Sequence, residues 1–244
     1  MGIAEMIIFL FLILHILNLL FLSLYCRLAR ILDQRHRAKE EMNQNQINNQ
    51  QPKKLPLIKR IYSWLEPYFY GWMRYSIIVI GHIPSHRIRN FLYRFVFCMQ
   101  ITTRTVIYGG CEIRSPWNIK AGNCVISTYC ILDGRNGIEF GDNVVLGSGV
   151  HIWTEEHGLN DPLFGVQNEN RAPVVMKSHA WVCSDSTLLP GVIVGEGAVV
   201  ASRACLTKDA EPFGVYAGIP ARKIKERNRD LPYVLTGKPT WHFY

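Results

Sequence analysis

Residues 174–207 read VVMKSHAWVCSDSTLLPGVIVGEGAVVASRACLT, and the spacing of the apolar residues in this stretch decides the fold. An amphipathic helix would repeat its apolar residues every 3.6 positions and an ordinary strand every two. Here large apolar residues recur at every sixth position, and small or β-branched residues follow most of them four positions later. The large residues are Met176, Val182, Leu188, Val194, Val200 and Leu206, and the smaller ones are Ala180, Ser186, Val192, Ala198 and Ala204. This period predicts a β-helix of hexapeptide repeats, because six residues supply one short strand and one corner, and three strands close a triangular coil.

The same period extends upstream, with two interruptions. Phe140, Leu146 and Ile152 keep the six-residue spacing, and a looser series precedes them: Ile107, Ile113, Ile119, Val125 and Ile131. The series loses its phase at DGRNG, residues 133–137, which predicts an insertion at a corner. The second interruption, residues 153–173, predicts a long loop, and long loops on rigid scaffolds often carry function. We therefore predict an all-β core, a parallel β-helix over 105–210 that is capped at both ends because its coils bury one another.

A segment dominated by Leu, Ile and Phe, Ile7–Tyr25, precedes the core. Because about 20 apolar residues cross a bilayer as a helix, we predict that residues 1–27 form a transmembrane anchor. A cleaved signal peptide is the alternative, but MGIAEM lacks a basic start and SLYC lacks the small residues of a cleavage site. Basic residues follow the segment, which predicts a single-pass protein of the cell membrane with its bulk on the cytoplasmic side. These residues are Arg27, Arg30, Arg35, Arg37 and Lys39.

The region between anchor and core has two parts. Residues 28–54 combine the basic stretch with a polar linker, NQNQINNQQ at 43–51. Residues 55–104 mix aromatic and basic residues, which beside an anchor is typical of a helical segment at the membrane interface. Within it, Ser85 begins an amphipathic helix whose apolar stripe either caps the core or contacts the membrane. The stripe consists of Ile88, Phe91, Leu92, Phe95 and Val96.

The composition narrows the classes of function. The 244 residues are 48% hydrophobic, with 27 basic against 19 acidic side chains, so the chain is a globular protein rather than a disordered one. The basic residues gather near the anchor and near the C-terminus instead of in one stripe, which argues against a nucleic-acid partner. The seven cysteines show neither CxxC nor zinc spacing, and we interpret them as reduced core residues.

Five strings carry a family resemblance: SPWNI (115–119), HIWTEEHGLNDPLFG (151–165), AWVCSDSTLLPGVIVGEGAVV (180–200), TKD (207–209) and YAGIPARKIKER (216–227). They resemble the hexapeptide-repeat, left-handed β-helix acyltransferases, with particular similarity to O-acetyltransferases of the galactoside/maltose type and of exopolysaccharide (colanic acid) biosynthesis. The resemblance covers about half of the chain. It implies acetyl-CoA as acyl donor, no metal, a carbohydrate acceptor, and a homotrimer with its sites between neighbouring prisms.

The resemblance also implies catalytic residues. His157, in TEEHGLNDPLFG, lies at the family's base position, and a neutral imidazole is well suited to take a proton from a sugar hydroxyl near neutral pH. Ser184, in WVCSD, matches a position that helps to stabilise the oxyanion of the tetrahedral intermediate. Glu155 and Glu156 either orient the imidazole or are solvated loop charges.

Cofactor positions follow from the same resemblance. Trp181 matches a tryptophan beside the pantetheine arm, and Cys183 stands where the family usually has Gly. Residues 211–244 are expected to comprise a cofactor-side segment and the C-terminal tail. Small residues match the wall along which the cofactor lies, and basic residues suit its phosphates. The wall positions are Ala201, Ser202 and Thr207, and the basic positions are Lys208, Arg222 and Lys225.

Acceptor contacts are expected at Asp133 and Asn136 in the corner insertion, and at Asp161 and Phe164 in the loop. The sequence thus predicts a membrane-anchored O-acetyltransferase that modifies a sugar of a cell-surface polysaccharide or lipid-linked glycan precursor. Two alternatives stay open: a non-carbohydrate acceptor, and a non-catalytic scaffold at the membrane. A zinc enzyme on the same scaffold is a further alternative, since three imidazoles can hold a catalytic zinc. The histidines concerned are His151, His157 and His179.

Overall fold

A computed structural model describes residues 2–43, 57–158, 160, 162 and 168–238. Three helices precede the core: α1 (Ile3–Asn43), α2 (Leu57–Gly81) and α3 (His86–Phe95). α1 continues without a break from the apolar segment through the basic stretch. The linker residues after Asn43, and the loop positions Asp161 and Phe164, lie outside the described residues.

The core consists of short strands and one 3-10 helix, Pro116–Asn118. In chain order the strands are β1 (Gln100–Ile101), β2 (Val106–Ile107), β3 (Glu112–Arg114), β4 (Ile119–Ala121), β5 (Val125–Ile126), β6 (Ile131–Asp133), β7 (Ile138–Phe140), β8 (Val145–Leu146), β9 (His151–Ile152), β10 (Glu155–His157), β11 (Asn168–Arg171), β12 (Val174–Met176), β13 (Trp181–Val182), β14 (Thr187–Leu188), β15 (Ile193–Val194), β16 (Val199–Val200), β17 (Cys205–Leu206), β18 (Gly214–Ala217) and β19 (Arg222–Glu226).

These strands form a parallel β-solenoid of about six turns, which confirms the predicted fold class. Face 1 contains β1, β4, β7, β12 and β15; face 2 contains β2, β5, β8, β13, β16 and β18; and face 3 contains β3, β6, β9, β14 and β17. The chain passes from face 1 to face 2 to face 3 and back, so each coil has a corner 1–2, a corner 2–3 and a corner 3–1. Two antiparallel additions extend the solenoid: the hairpin β10–β11 and the strand β19 beside β18.

The interior of the prism is made of the large apolar residues that recur every six positions. Leu146, Val182 and Val200 lie in register on face 2, and each is fully buried. Because neighbouring coils stack these side chains directly on one another, each coil removes the apolar surface of the next from water.

Ile107 and Ile113 are fully buried, as the predicted register requires, but the register is wrong in the next coil. The side chains in the interior are Ile126 and Leu132, both fully buried, whereas Val125 and Ile131 are only half-buried. Ala121 pairs with Phe140 and so takes the lead position on face 1, two residues after Ile119. Between β3 and β4, corner 3–1 is longer because it holds the 3-10 helix, and the corner after β4 is shorter. A strict count of six residues therefore no longer matches the interior positions.

The apolar stripe of α3 does not cover the core as a unit. Leu92 and Val96 are buried, but Ile88, Phe91 and Phe95 are 52%, 58% and 50% exposed. Ser85 caps the helix through its side chain, as the predicted helix start implies. The stripe is therefore divided between a row that packs on the prism and a row that faces outward.

α2 lies antiparallel along α1. Trp72 Nε1 donates to Asn18 Oδ1 at 2.9 Å, and the ring of Phe69 packs between those of Phe21 and Tyr25. Within the described part of the chain, α1 contains the one segment, Ala4–Lys39, that is long and apolar enough to cross a membrane. Only 6% of its most apolar window is buried in the chain, unlike a core helix.

The C-terminal tail runs back along corner 1–2 of the chain's own prism. Tyr233 O lies 3.2 Å from His179 Nε2, and the backbone N–H of Leu235 donates to Asn143 Oδ1 at 2.9 Å. The tail then reaches the first coil, where Gly237 packs against Arg104. Its described residues therefore tie successive coils together along one edge.

Candidate functional site

The hairpin β10–β11 leaves the prism at corner 3–1, and His157 is the last residue of β10. The two strands pair from Glu155–Arg171 to His157–Asn168, with a bulge between Glu156 and His157. His157 is exposed to solvent. The break in the six-residue period thus projects an imidazole from an otherwise regular prism.

A buried polar cluster holds the base of this hairpin. Asp133 is fully buried, and its carboxylate accepts from Arg135 Nε and Nη2, both at 2.8 Å. Arg135 is also ion-paired with Glu155. Thr154, likewise fully buried, donates its hydroxyl to the carbonyl of Asp133 at 2.8 Å. Because buried charges are costly unless paired, this arrangement fixes the position from which the hairpin starts.

Asn136 belongs to the same cluster. Its backbone N–H donates to Thr154 Oγ1 at 3.0 Å, and its side-chain amide donates to Thr154 O at 2.9 Å and Glu155 Oε2 at 3.1 Å. Asp133 and Asn136 therefore lie at the base of the hairpin, and their polar groups already form hydrogen bonds within the chain. Direct contact with an acceptor stays a prediction for both. Glu156 accepts from Asn170 Nδ2 at 3.3 Å.

Ser184 lies at corner 2–3, half-buried between two neighbouring coils. Beneath it is Gly147, where an added Cβ would come within 2.5 Å of the Ser184 backbone nitrogen. Above it, the backbone N–H of Arg203 donates to Ser184 O at 3.0 Å. Glycine at position 147 therefore allows the close stacking that positions this serine.

The predicted cofactor positions divide between several surfaces. Trp181, on face 2, is 43% exposed, as expected of a side chain that a ligand could cover. Cys183 is half-buried and hydrogen-bonded to Ser202, and burial raises the pKa of its thiol. The remaining positions are exposed or half-buried at the upper coils: Ala201 and Ser202 at corner 2–3, Thr207 and Lys208 at corner 3–1, and Arg222 and Lys225 on β19.

In one chain, the structure does not bring the two predicted catalytic residues to the same corner. His157 extends from corner 3–1 and Ser184 lies at corner 2–3, so face 3 separates them. Asp133, Asn136 and Lys208 share the corner of His157. The two predicted catalytic residues therefore lie on two different edges of the prism.

The three histidines of the zinc alternative are also dispersed. His151 lies on face 3, His157 on the hairpin, and His179 at corner 1–2, where Asn143 and the tail engage it. The described residues contain no group of three or more His, Cys, Asp or Glu side chains that could hold a metal ion. All seven cysteines are free thiols, five of them buried.

Sequence reasoning missed the residues that support the hairpin. Arg135 and Thr154 are central to the cluster, and Arg37, near the end of α1, donates to the carbonyls of Arg135 and Asn136 at 2.8 and 3.1 Å. The only signal in the sequence was the DGRNG insertion itself. Its link to Arg37 joins residues almost a hundred positions apart, which no local pattern reveals.

Comparisons with known proteins agree with this architecture. The chain is similar to a maltose O-acetyltransferase from Clostridium difficile, with 26% identity and a TM-score of 0.55, over 63% of this chain and 84% of that one. A galactoside acetyltransferase solved in complex with coenzyme A has 21% identity and a TM-score of 0.59, over 74% and 98% of the two chains. Among curated sequences, a chloramphenicol acetyltransferase from Klebsiella aerogenes is 39% identical over 67 residues, which are 28% of this chain and 32% of that protein.

The curated relatives match this chain only in part. It covers between 32% and 59% of the length of those with the strongest matches. No protein-family model matches the sequence. The structural neighbours are hexapeptide-repeat acetyltransferases, and the predicted resemblance to that class is confirmed.

Proposed function

We propose that this protein is a membrane-anchored O-acetyltransferase that transfers acetyl from acetyl-CoA to a sugar hydroxyl of a cell-surface or lipid-linked glycan. The observation that carries the proposal is the exposed His157 on a hairpin whose base is fixed by buried Asp133, Arg135 and Thr154. It stands on a scaffold shared with acetyltransferases, two of which are named for sugar substrates. A merely structural solenoid would need neither the hairpin nor its buried ionic support.

The chemistry assigns one role to each group. The neutral imidazole of His157 takes the proton of the acceptor hydroxyl as its oxygen attacks the thioester carbonyl, a step worth about 10²–10⁴ in rate. Ser184 and neighbouring backbone N–H groups donate hydrogen bonds to the resulting oxyanion. The intermediate collapses by breaking the C–S bond, and the departing thiolate recovers the proton from the imidazolium. The products are the acetyl ester and free CoA.

The exposed basic residues suit the phosphates of acetyl-CoA. Among the described residues, Lys208 and Lys225 make no ion pair, whereas Lys223 is bound to both Glu211 and Glu226. Uncompensated cations near the upper coils would attract the 3′-phosphate and the pyrophosphate. Trp181 offers its exposed ring to the pantetheine arm.

The separation of the two catalytic residues supports a homotrimer. His157 and Ser184 occupy different edges of one prism, so they can share a site only where corner 3–1 of one copy faces corner 2–3 of the next. A cyclic trimer brings such edges together three times with one type of contact.

The outer surfaces of the helices support attachment to a membrane. The exposed row of α3, Ile88, Phe91 and Phe95, lies beside the end of the apolar segment, because Ser23 Oγ of α1 donates to Phe95 O at 3.2 Å. An apolar row at this level would rest in the headgroup region of the bilayer that α1 crosses. The basic residues after the segment favour the cytoplasmic side, where acetyl-CoA is made.

Acetyl transfer to a non-carbohydrate hydroxyl is the second candidate. The observation that favours it is the 39% identity to a chloramphenicol acetyltransferase over 67 residues. Both candidates use the same base and the same donor, and they differ only in the acceptor.

The decisive experiment measures release of the free CoA thiol from acetyl-CoA by the full chain in detergent, with a panel of glycans and with chloramphenicol. His82 supplies a matched control because it is exposed and lies outside the solenoid. We expect glycan-dependent release that falls at least about a hundredfold in His157→Ala and is unchanged in His82→Ala. Release that survives in His157→Ala would remove the base assignment, and release with chloramphenicol alone would establish the second candidate.

A further inference from the structure

A cavity of about 390 Å³ lies between α1, α2 and corner 3–1 of the first coils, away from the predicted cofactor positions on the upper coils. Aromatic side chains form much of its wall: Tyr25 of α1, Tyr62 and Tyr70 of α2, and Trp117 of the 3-10 helix. The rings of Tyr25 and Trp117 meet edge to face, with centroids 6.2 Å apart. Its volume falls in the range of small-molecule sites, and its wall combines aromatic rings with polar and charged side chains.

Two carboxylates, those of Asp33 and Glu66, line this cavity. Asp33 is held in place, because its Oδ2 accepts from Trp117 Nε1 at 2.6 Å and from Asn118 Nδ2 at 3.0 Å. Glu66 makes no hydrogen bond or ion pair with any other described residue. Burial, and then the charge of Asp33, raise the pKa of Glu66 above its ordinary value. A half-buried carboxyl without a partner is costly, and a ligand that bonds to it would offset that cost.

The cavity is connected to the catalytic hairpin through one residue. Arg135 lines the cavity and is also ion-paired with Glu155, two positions before His157 on β10. The same corner therefore forms part of the cavity wall and the support of the hairpin.

The cavity also lies close to the membrane surface that the proposed function requires. Its α1 residues extend from Tyr25, the last residue of the apolar segment, to Asp33, which lies eight positions or about 12 Å further along the helix. A sugar attached to a lipid in the bilayer would be presented at this level.

We propose that this cavity binds the sugar of a membrane-bound acceptor, with the tyrosine and tryptophan rings packing against its apolar faces and Asp33 and Glu66 accepting from its hydroxyls. This inference rests on the proposed function and adds to it a role for α1 and α2 in binding the acceptor. It accounts for a feature that the solenoid alone does not need, a cleft between two helices lined by aromatic rings and acids.

Charge argues for an uncharged polyhydroxyl group rather than a phosphate. Asp33 and Glu66 would repel an anion, and Arg135 is already compensated by Asp133 and Glu155. Carboxylates are strong acceptors for hydroxyl donors, and a bond to a charged acceptor is about twice as strong as a neutral one.

The test uses the full chain in lipid nanodiscs with methyl glycosides of glucose, galactose, mannose and N-acetylglucosamine as probes. Binding is followed by intrinsic fluorescence without acetyl-CoA, with Trp117→Phe identifying the part of the signal that comes from the cavity.

The test variant is Glu66→Gln. Its matched control is Glu139→Gln, because Glu139 is an exposed carboxylate of face 1 that is paired with Lys120. Because burial and Asp33 both oppose the charge of Glu66, Glu66→Gln should unfold at the same or a higher temperature than the wild type.

We expect at least one glycoside to bind, with affinity reduced about tenfold or more in Glu66→Gln and unchanged in Glu139→Gln. In turnover, the sugar KM should rise by a similar factor while the KM for acetyl-CoA stays constant. A glycoside that is acetylated with the same KM by wild type and Glu66→Gln would overturn the cavity assignment and leave the proposed function intact. Binding that depends on Glu66, without acetylation of any sugar, would uphold the cavity and reject sugar acetylation. If no glycoside binds the wild type, the cavity assignment is wrong.

Discussion

The solenoid buries most of its large apolar side chains, whereas helices α1 and α3 expose many of theirs. Along the late coils of the solenoid, every sixth residue is buried by its neighbouring coils, and only single apolar side chains, such as Trp181 and Ile193, are exposed on the outer faces. On α1 and α3, rows of Leu, Ile and Phe are left exposed by the chain itself. A core that repeats locally can bury its own apolar surface, whereas an amphipathic helix needs a second surface.

The stability of the solenoid should depend mainly on the side chains in its interior. Leu188 is fully buried on face 3, and Ile193, in the next strand, is 39% exposed on face 1. We expect Leu188→Ala to lower the free energy of unfolding by about 2–5 kcal/mol. Ile193→Ala should change it by less than about 1 kcal/mol. Thermal unfolding in detergent measures both, and equal losses would mean that face 1 is covered by another surface.

Catalysis should require more than one solenoid, although folding of the coils does not. When His157→Ala and Ser184→Ala chains are co-expressed in equal amounts, a site shared between neighbours finds both wild-type residues in about a quarter of cases. We therefore expect thiol release at about a quarter of the wild-type rate, from two variants that are each at least about a hundredfold slower alone. If the mixture is no faster than the single variants, both residues act within one chain or Ser184 has no part in the reaction.

The exposed row of α3 should lie in lipid, while the far end of the solenoid should not. Phe91 and Ile224 of β19 are similarly exposed, at 58% and 60%. We expect an environment-sensitive dye attached at Phe91→Cys in nanodiscs to shift to the blue and to be quenched by brominated lipid, with neither effect at Ile224→Cys. The unsubstituted chain gives the background from native thiols. Identical spectra at the two positions would place α3 in water.

The junction between α2 and the solenoid should depend on pH. Burial alone would raise the pKa of Glu112, but hydrogen bonds and charges from Arg114 and Arg74 lower it below its ordinary value. A carboxyl whose pKa is lower in the folded state stabilises it above the unfolded pKa and loses this contribution as the pH falls through the folded pKa. We expect Glu112→Gln to cost about 1 kcal/mol at pH 7 and the difference from wild type to vanish in acid. A constant difference at all pH values would mean that the charge of Glu112 is not involved.

The late coils, the early coils and helix α3 differ in how far the sequence predicts their structure. The late coils follow from the six-residue period because each interior residue contacts its equivalents in neighbouring coils through a constant local spacing. In the early coils the period placed Val125 and Ile131 in the interior, one residue away from the side chains that are buried there. Corners that differ by one or two residues leave the stacking of the coils intact but change the number of residues between interior positions. The stripe of α3 was identified, but periodicity could not separate Leu92, which packs on the prism, from Phe91, which faces outward.

The site residues that the sequence proposed stay predictions, and the contacts that support the hairpin were not predicted. His157 was assigned as the base because it matches the base position of the family that the sequence resembles, and its role stays a prediction. Arg135 and Thr154 could not be found, because their partners come together only when the corner insertion of one coil meets the hairpin of the next. The cavity between α1 and α2 gave no sequence signal, since its rings and carboxylates come from three separate segments.

By itself the sequence determined the parallel β-solenoid, the position of the interrupting loop and the long apolar helix, because each depends on a spacing or a composition that acts over a few neighbouring residues. Only the tertiary structure decided which side chains face inward in the first coils, what holds the hairpin, and that His157 and Ser184 lie on different edges of one prism. Those features depend on contacts between residues that are tens of positions apart, where a shift of one residue at a corner changes which side chains meet.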